Sequence, residues 1–295
     1  MSTGSMKFAD MRLHGGLRSP LVALAVAGGL GLALAGCDSL GNGGLPTGPG
    51  IAEVEACSSD SAANIDSLTQ SVQKDPSNPE VYNTRGAAYA RCGHYKEAIA
   101  DFSKAVEIDP NRFAAYTNRA LAERQMGNDD AALADFNHAI QANANHAPAY
   151  LGRGNLLRQR AQYDQALSDL NQAIGLNPED PQAFHARGLI YQSEGDNAHA
   201  IADFGNAIDR NPFVAAPYLA RGQSLIATGK YDLAVEDFNA ALNIDNKNAD
   251  AWASLGLAYE KSGNKAKAIE SYQRALVVDP RNQLARDGSS RVGRG

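Results

Sequence analysis

The chain has 295 residues, of which 44% are hydrophobic and only 7% aromatic, with 52 alanines and a single tryptophan. So few rings argue against a β-sandwich or barrel and for closely packed helices. Acidic residues outnumber basic ones, 33 to 27, and the net charge of −6 leaves no basic excess to neutralise phosphates, which excludes nucleic acid as a partner.

Residues 1–20 carry Lys7, Arg12 and Arg18 against one acid, Asp10. The run 21–36 is uncharged, rich in Leu, Ala, Val and Gly, and ends in Leu34-Ala35-Gly36 before Cys37. It is short of the roughly 20 residues a membrane-spanning helix needs and suits the core of a secretory signal. The layout resembles the lipobox of bacterial lipoproteins. That resemblance implies a signal peptide over 1–36, cleavage before Cys37, and acyl chains on Cys37 as the lipid attachment. It places the mature chain in the bacterial cell envelope, lipid-anchored and facing the periplasm. The membrane would be met through the lipid alone, and inner versus outer membrane stays open. Residues 37–56 are the lipidated Cys and a Gly/Pro-rich stretch without sustained apolar period, predicted to be a flexible tether.

Ile65, Leu68 and Val72 then form one apolar stripe that ends at Asp75-Pro76, predicting a capping helix within 57–78. From residue 79 the chain repeats every 34 residues. Gly86, Ala120, Gly154, Gly188, Gly222 and Gly256 mark the period. A ring stands before each small residue: Tyr82, Tyr116, Tyr150, Phe184, Tyr218 and Trp252. Alanines follow at 98, 132, 166, 200, 234 and 268, then large apolar residues at Phe102, Phe136, Leu170, Phe204, Phe238 and Tyr272. Each unit predicts two amphipathic helices with a turn at Gly93, Gly127, Ala161, Gly195, Gly229 or Gly263, and Pro110, Pro178, Pro212 and Pro280 close four of the six.

This pattern resembles the tetratricopeptide repeat. The resemblance covers 79–282 as six repeats without insertion: 79–112, 113–146, 147–180, 181–214, 215–248 and 249–282. It implies an all-α, right-handed superhelical solenoid. Residues 283–295 are predicted to be a polar tail, leaving the last repeat without a full cap.

Two positions vary together between repeats. Arg85, Arg119, Arg153, Arg187 and Arg221 precede the small residue, and Asp101, Asp135, Asp169, Asp203 and Asp237 stand sixteen residues on. In the last unit both vanish, into Leu255 and Ser271. Joint loss predicts a structural ion pair between the two helices of each unit rather than a row of ligand-binding arginines. With Cys37 acylated, Cys57 and Cys92 are left as an even pair in an oxidising compartment, predicting a disulfide that pins the cap to the first repeat.

No HExxH, CxxC, GxSxG, P-loop or GxGxxG motif occurs, and the six histidines show no metal-ligand spacing. The expectation is a binding protein with no catalytic residues, no cofactor and no metal. In tetratricopeptide-repeat proteins the first helices line a concave groove that holds a peptide or partner helix. The matching positions here are Asn83, Arg91, Asn118, Leu121, Arg124, Leu151, Asn155 and Arg158 in the first three repeats. In the later repeats they are His185, Leu189, Leu219 and Ile226. The groove is thus predicted to grade from basic and amide-rich to apolar, with an acidic segment pairing with its first half. Asn83, Thr117 and Leu151 stand where chaperone-tail binders need lysine, so their two-carboxylate clamp is absent.

Lipobox plus repeats resembles, in architecture, the NlpI-type envelope lipoproteins. That likeness implies a membrane-anchored periplasmic adaptor that gathers envelope enzymes, proteases or assembly machinery and forms a homodimer. The alternative is a pilotin-like assembly factor for an outer-membrane secretin or barrel.

Overall fold

The structure, a computed structural model, describes residues 59–293. The signal and tether over 1–56, with Cys37 and Cys57, lie outside the described residues. Among those described there are fourteen helices and no strand. Helix α1 (Ser59–Lys74) precedes six pairs: α2 (Pro79–Arg91) with α3 (Tyr95–Ile108), α4 (Phe113–Gln125) with α5 (Asp129–Ala142), and α6 (Ala147–Gln159) with α7 (Tyr163–Leu176). Then come α8 (Pro181–Ser193) with α9 (Asn197–Arg210), α10 (Ala215–Ala227) with α11 (Tyr231–Ile244), and α12 (Ala249–Lys261) with α13 (Lys265–Val278); α14 (Gln283–Gly293) closes the array.

Local chemistry sets these boundaries. The first helix of each pair ends where Gly93, Gly127, Gly195, Gly229 and Gly263 take φ of +73° to +84°, conformations that L side chains rarely adopt. Ala161 occupies the same turn at φ +56° without glycine's freedom. Second helices stop just before the prolines, and the next first helix restarts on side-chain caps where they exist. Asn78 Oδ1 accepts from the Glu80 N–H and Asp180 Oδ1 from the Gln182 N–H, each followed by a proline at the first helical position.

Packing makes the pairs into a curved array. Each first helix touches the first helix of the next repeat, α2 on α4 and so on to α10 on α12, whereas no second helix touches another second helix. The row of first helices is therefore the tighter, inner side. Between the rows, Phe102, Phe136, Leu170, Phe204, Phe238 and Tyr272 are fully buried with the alanines at 98, 132, 166, 200, 234 and 268. The glycine column explains itself here: a Cβ on Gly86, Gly188 or Gly222 would lie 2.7 Å from the Phe ring of its own repeat. At the N-terminal end α1 lays half-buried Ile65 and Leu68 and buried Val72 against the array.

The C-terminal end departs from expectation. Residues 283–293 are a helix, not a polar tail, and it packs on both α12 and α13. Ala285 and Val292 are buried with Tyr272, and Leu284 packs beside them. Asn282 caps the helix through the Ala285 N–H, and Arg291 donates through Nε and Nη2 to both oxygens of Glu260 at 2.8 and 2.9 Å. The apolar positions are few and separated by Arg, Asp and Ser, so the sequence looks like a tail. One thin stripe suffices because the exposed face of α12 and α13 supplies the rest of the contact.

Candidate functional site

Two rows of side chains run along the array, and they differ in kind. The first is the arginine column. Each of Arg85, Arg119, Arg153, Arg187 and Arg221 forks onto its own aspartate, Nε and Nη2 donating to the two carboxylate oxygens at 2.7–2.8 Å. The carboxylate side chains are only 5–8% exposed. Their hydrogen bonds hold each guanidinium more basic than usual, against the desolvation that pulls the other way. A third contact was hidden in the sequence. Nη1 of Arg85, Arg119, Arg153 and Arg187 donates backward to Thr69, Ser103, Asn137 and Asn171, a small polar residue on the preceding second helix. Arg221 meets Gly205 there instead. Each ring of the aromatic column lies under its arginine at 5.5–6.0 Å, so Tyr82, Tyr116, Tyr150, Phe184 and Tyr218 face guanidinium as well as neighbours. This row is fully engaged: it ties helix to helix and repeat to repeat.

The second row lies on the inner face, and its hydrogen bonding is incomplete. At its start Asn118 Nδ2 donates to Asn83 Oδ1 at 3.1 Å, bridging α4 and α2, while Arg91 is exposed. Leu121 and Leu151, expected to line the groove, are only 6% and 3% exposed and belong to the core between neighbouring helices. Leu189, Leu219 and Ile226 are half-buried and likewise pack on core clusters, so the predicted apolar half of the groove is largely packing surface. The inward-pointing positions are correct for the helix face, yet close contact between successive first helices covers the larger aliphatics. Further on, Gln192 Nε2 donates to the Ala220 carbonyl and to Ser224 Oγ, both at 2.9 Å.

Between these stretches stand Arg124 on α4, Arg158 and Asn155 on α6, and His185 on α8. Arg124 and Arg158 occupy the same position of successive first helices. Both are half-buried, and neither makes an ion pair among the described residues. Arg124 Nη2 reaches Gln159 Oε1 at 3.4 Å, while Asp129 lies 4.0 Å from Arg160. Burial lowers the pKa of both guanidiniums; for Arg124 the charge of Asp129 offsets part of this and the like charge of Arg158 adds to it. His185 is 9% exposed and Asn155 is 7% exposed. Burial first, and the charge of Arg158 second, bring the His185 imidazole down to about 4, so it is neutral at pH 7. Arg158 Nε, Asn155 Oδ1 and His185 Nδ1 are buried and lack a hydrogen-bond partner among the described residues. Asn155 and His185 open onto a cavity of about 110 Å³ walled by Pro181, Ala207, Val214, Ala216 and Pro217 together with the polar Gln182 and Asn211.

Chemistry of other kinds finds no support. Histidines 94, 138, 146, 185 and 199 each pack on an aromatic ring, at centroid distances of 4.7–6.2 Å, and no cluster with metal-ligand geometry occurs among the described residues. Cys92 is disulfide-bonded, and its partner lies outside the described residues. No described helix is long and apolar enough to cross a membrane.

A curved array of helix pairs with one satisfied structural row and one unsatisfied inner row defines a helical-repeat protein-interaction scaffold. Family models described as "Tetratricopeptide repeat" match residues 79–112, 113–146, 181–213 and 249–282, and one described as "TPR repeat" matches 154–195 and 222–263. The chain belongs to the tetratricopeptide-repeat family. No curated protein matches it in sequence. Among solved structures it is similar to a chain of the APC/C hetero-tetramer Cut9–Hcn1, at 22% identity and a TM-score of 0.66. That match covers 79% of this chain but 47% of the other, so this chain spans about half its length. It is also similar to YrrB, described as a TPR protein with an unusual peptide-binding site, at 25% identity, a TM-score of 0.56 and coverage of 64% and 97%. PilW, described as a widely conserved type IV pilus biogenesis factor, is similar at 17% identity, a TM-score of 0.64 and coverage of 71% and 97%. None of these likenesses indicates a catalytic family.

Proposed function

We propose that this protein is a membrane-anchored periplasmic scaffold that holds a segment of another protein along its inner face. One observation carries the reading: buried polar atoms of Asn155, Arg158 and His185 on that face have no partner, although leaving such groups unpaired costs roughly 1–3 kcal/mol each. Among the described residues Arg112 Nε, His146 Nε2 and Ser289 Oγ are unpaired too, but singly, whereas these three gather on one face beside a cavity, as a site for something that binds would require. The peptide-binding site named for YrrB, 25% identical, is in keeping with it. The anchor rests on the sequence around Cys37, and the NlpI-type likeness on architecture. The disulfide partner of Cys92 is, on this reading, Cys57.

Crosslinking and affinity purification of the full chain from membranes tests it, beside an Arg124→Glu/Arg158→Glu variant of native thermal stability. Loss of a specific protein from the variant is the expected result. Identical recovery by both rejects the groove as the binding face. Where the lost protein's abundance depends on this chain, the adaptor reading holds; where instead a pore fails to multimerise, the protein is an assembly factor. Cys37→Ala is expected to release the chain from the membrane fraction, and continued membrane association would reject the lipid anchor.

A further inference from the structure

The unsatisfied inner row contains more than an opening; its atoms specify a ligand. Arg124 and Arg158 bring two positive charges to neighbouring helices; neither has a carboxylate in ion-pair contact among the described residues, and the charge of Asp129 offsets only part of the desolvation of Arg124. A guanidinium pair desolvated in this way is unfavourable unless an anion arrives. Burying these groups in a core would have called for aspartates, and the same chain supplies five of them, with perfect forks, to the other row. Arg210, half-buried at the end of α9, also lacks an acid but is satisfied by the Pro178 and Asn206 carbonyls, whereas Arg158 Nε has no acceptor at all among the described residues.

An anion alone does not complete the set. Asn155 Oδ1 is an acceptor and needs a donor, whereas Arg158 Nε is a donor and needs an acceptor. An extended polypeptide carries both, a side-chain carboxylate and backbone N–H groups, whereas a bare phosphate dianion offers only acceptors. Beyond Asn155 and His185, the cavity is lined by Pro181, Pro217, Ala207, Ala216 and Val214, with Gln182 and Asn211 as further polar residues. Its volume of about 110 Å³ suits a compact aliphatic side chain.

We infer that the middle of the inner face, from α4 to α10, binds an extended protein segment in which an aspartate or glutamate stands beside a valine, alanine or proline. The carboxylate pairs with Arg158 and Arg124, the segment's backbone N–H meets Asn155, and the aliphatic side chain enters the cavity between α8 and α10. This deepens the scaffold reading and rests on it.

The test is selection of random peptides displayed on phage against the full chain held in detergent. Affinities are then measured for acetylated, amidated versions of the selected peptides. The expected winners carry an acidic residue next to Val, Ala or Pro. Changing that acid to its amide, or Arg158→Gln in the protein, is expected to weaken binding at least about tenfold, the worth of one charged hydrogen bond. Asn155→Asp sets a carboxylate within one helical turn of Arg158 and is expected to weaken the same peptides comparably while the fold keeps its thermal midpoint. Winners without an acid, or winners bound equally by the Arg158→Gln or Asn155→Asp proteins, overturn the carboxylate pairing and leave the scaffold reading standing. A phosphoserine version that binds more tightly than the glutamate version overturns it in favour of phosphate. Failure of the cooperatively folding native chain to retain any peptide overturns both readings.

Discussion

Exchange of a single methyl group between Ala120 and Gly152 tests how the core of the second repeat is built. In repeats one, four and five a glycine on the first helix lies against the Phe of its own pair, with no room for a Cβ. Repeat two has Ala120 in that position, and Ala120 and Phe136 are both fully buried. The displaced ring is found one repeat on, where a Cβ built on Gly152 would lie 2.4 Å from Phe136 Cε1 and Cζ. The residues at the Gly152 position in neighbouring repeats are Asn118, Ala186, Ala220 and Ser254, so glycine there answers the alanine at 120. Gly152→Ala gains about 1 kcal/mol of helix propensity. It must also push a buried ring by more than 1 Å, at the upper end of the ~1–3 kcal/mol range for overpacking, for a net loss of about 2 kcal/mol. Ala120→Gly alone forfeits about 1 kcal/mol of propensity and leaves a methyl-sized void worth a similar amount. Together they recreate the arrangement of repeat four, Gly188 against Phe204 with Ala220 beyond, and the double variant is expected within about 1 kcal/mol of native. Urea unfolding read as midpoint and slope gives all four corners of the cycle, with an expected coupling of about 3–4 kcal/mol. Additive losses in the double variant would refute this account of the packing.

Three further outcomes follow from particular residues. Asp169→Ala strands the Arg153 guanidinium and is expected to destabilise by roughly 3–5 kcal/mol, whereas exchanging Arg153 and Asp169 retains more stability than either single change; equal losses by urea melt would reject the pair as structural. Ala161→Gly relieves a left-handed backbone at an exposed turn and is expected to raise stability by about 1 kcal/mol, seen as a higher midpoint at unchanged slope. His185, at about 4 in the fold and ~6.5 when unfolded, binds its proton first in the unfolded chain as pH falls. Its contribution is therefore whole above pH ~6.5 and lost towards pH 4, worth roughly 3 kcal/mol, and His185→Gln is expected to flatten the stability–pH curve there; an unchanged slope would place the titration elsewhere.

The repeat itself was legible because each of its columns has a strict physical requirement. A glycine under a buried ring, an αL glycine at the turn and a forked Arg–Asp pair tolerate few substitutes, so recurrence at 34 residues is visible in one sequence. The backward contacts of the arginines escaped notice because Thr69, Ser103, Asn137 and Asn171 share only smallness and polarity. Helix α14 is hard to read from sequence because its buried positions, Ala285, Gly288 and Val292, include two small residues set among Arg, Asp and Ser. The inner face was legible only in part. Helical period says which way a residue points, and it placed Arg124, Asn155, Arg158 and His185 together. How closely first helices approach decides whether a leucine there is groove or core, and that distance is a property of the stacked array.

Departures from the repeat therefore separate into two kinds. Those in the structural columns are met by a neighbour. Ala120 is matched by Gly152. Tyr272 is larger than the phenylalanines of its column, and its ring lies where Cβ atoms on Gly256 and Gly288 would stand 2.6 and 2.2 Å away. Its hydroxyl donates to Glu260, which Arg291 then holds. Loss of the arginine at Leu255 comes with loss of the aspartate at Ser271, whose hydroxyl turns to the Lys267 carbonyl. On the inner face the departures go unanswered. The twelfth residue of the first helices runs Ala90, Arg124, Arg158, Gln192, Ile226 and Glu260, and the two arginines make no ion pair among the described residues. Asn155 and His185 replace aliphatic neighbours and keep an unpaired atom each. Buried atoms without a partner also occur singly elsewhere, at Arg112 Nε, His146 Nε2 and Ser289 Oγ, but on the inner face Asn155, Arg158 and His185 gather three of them beside Arg124, and that grouping is where specificity is expected.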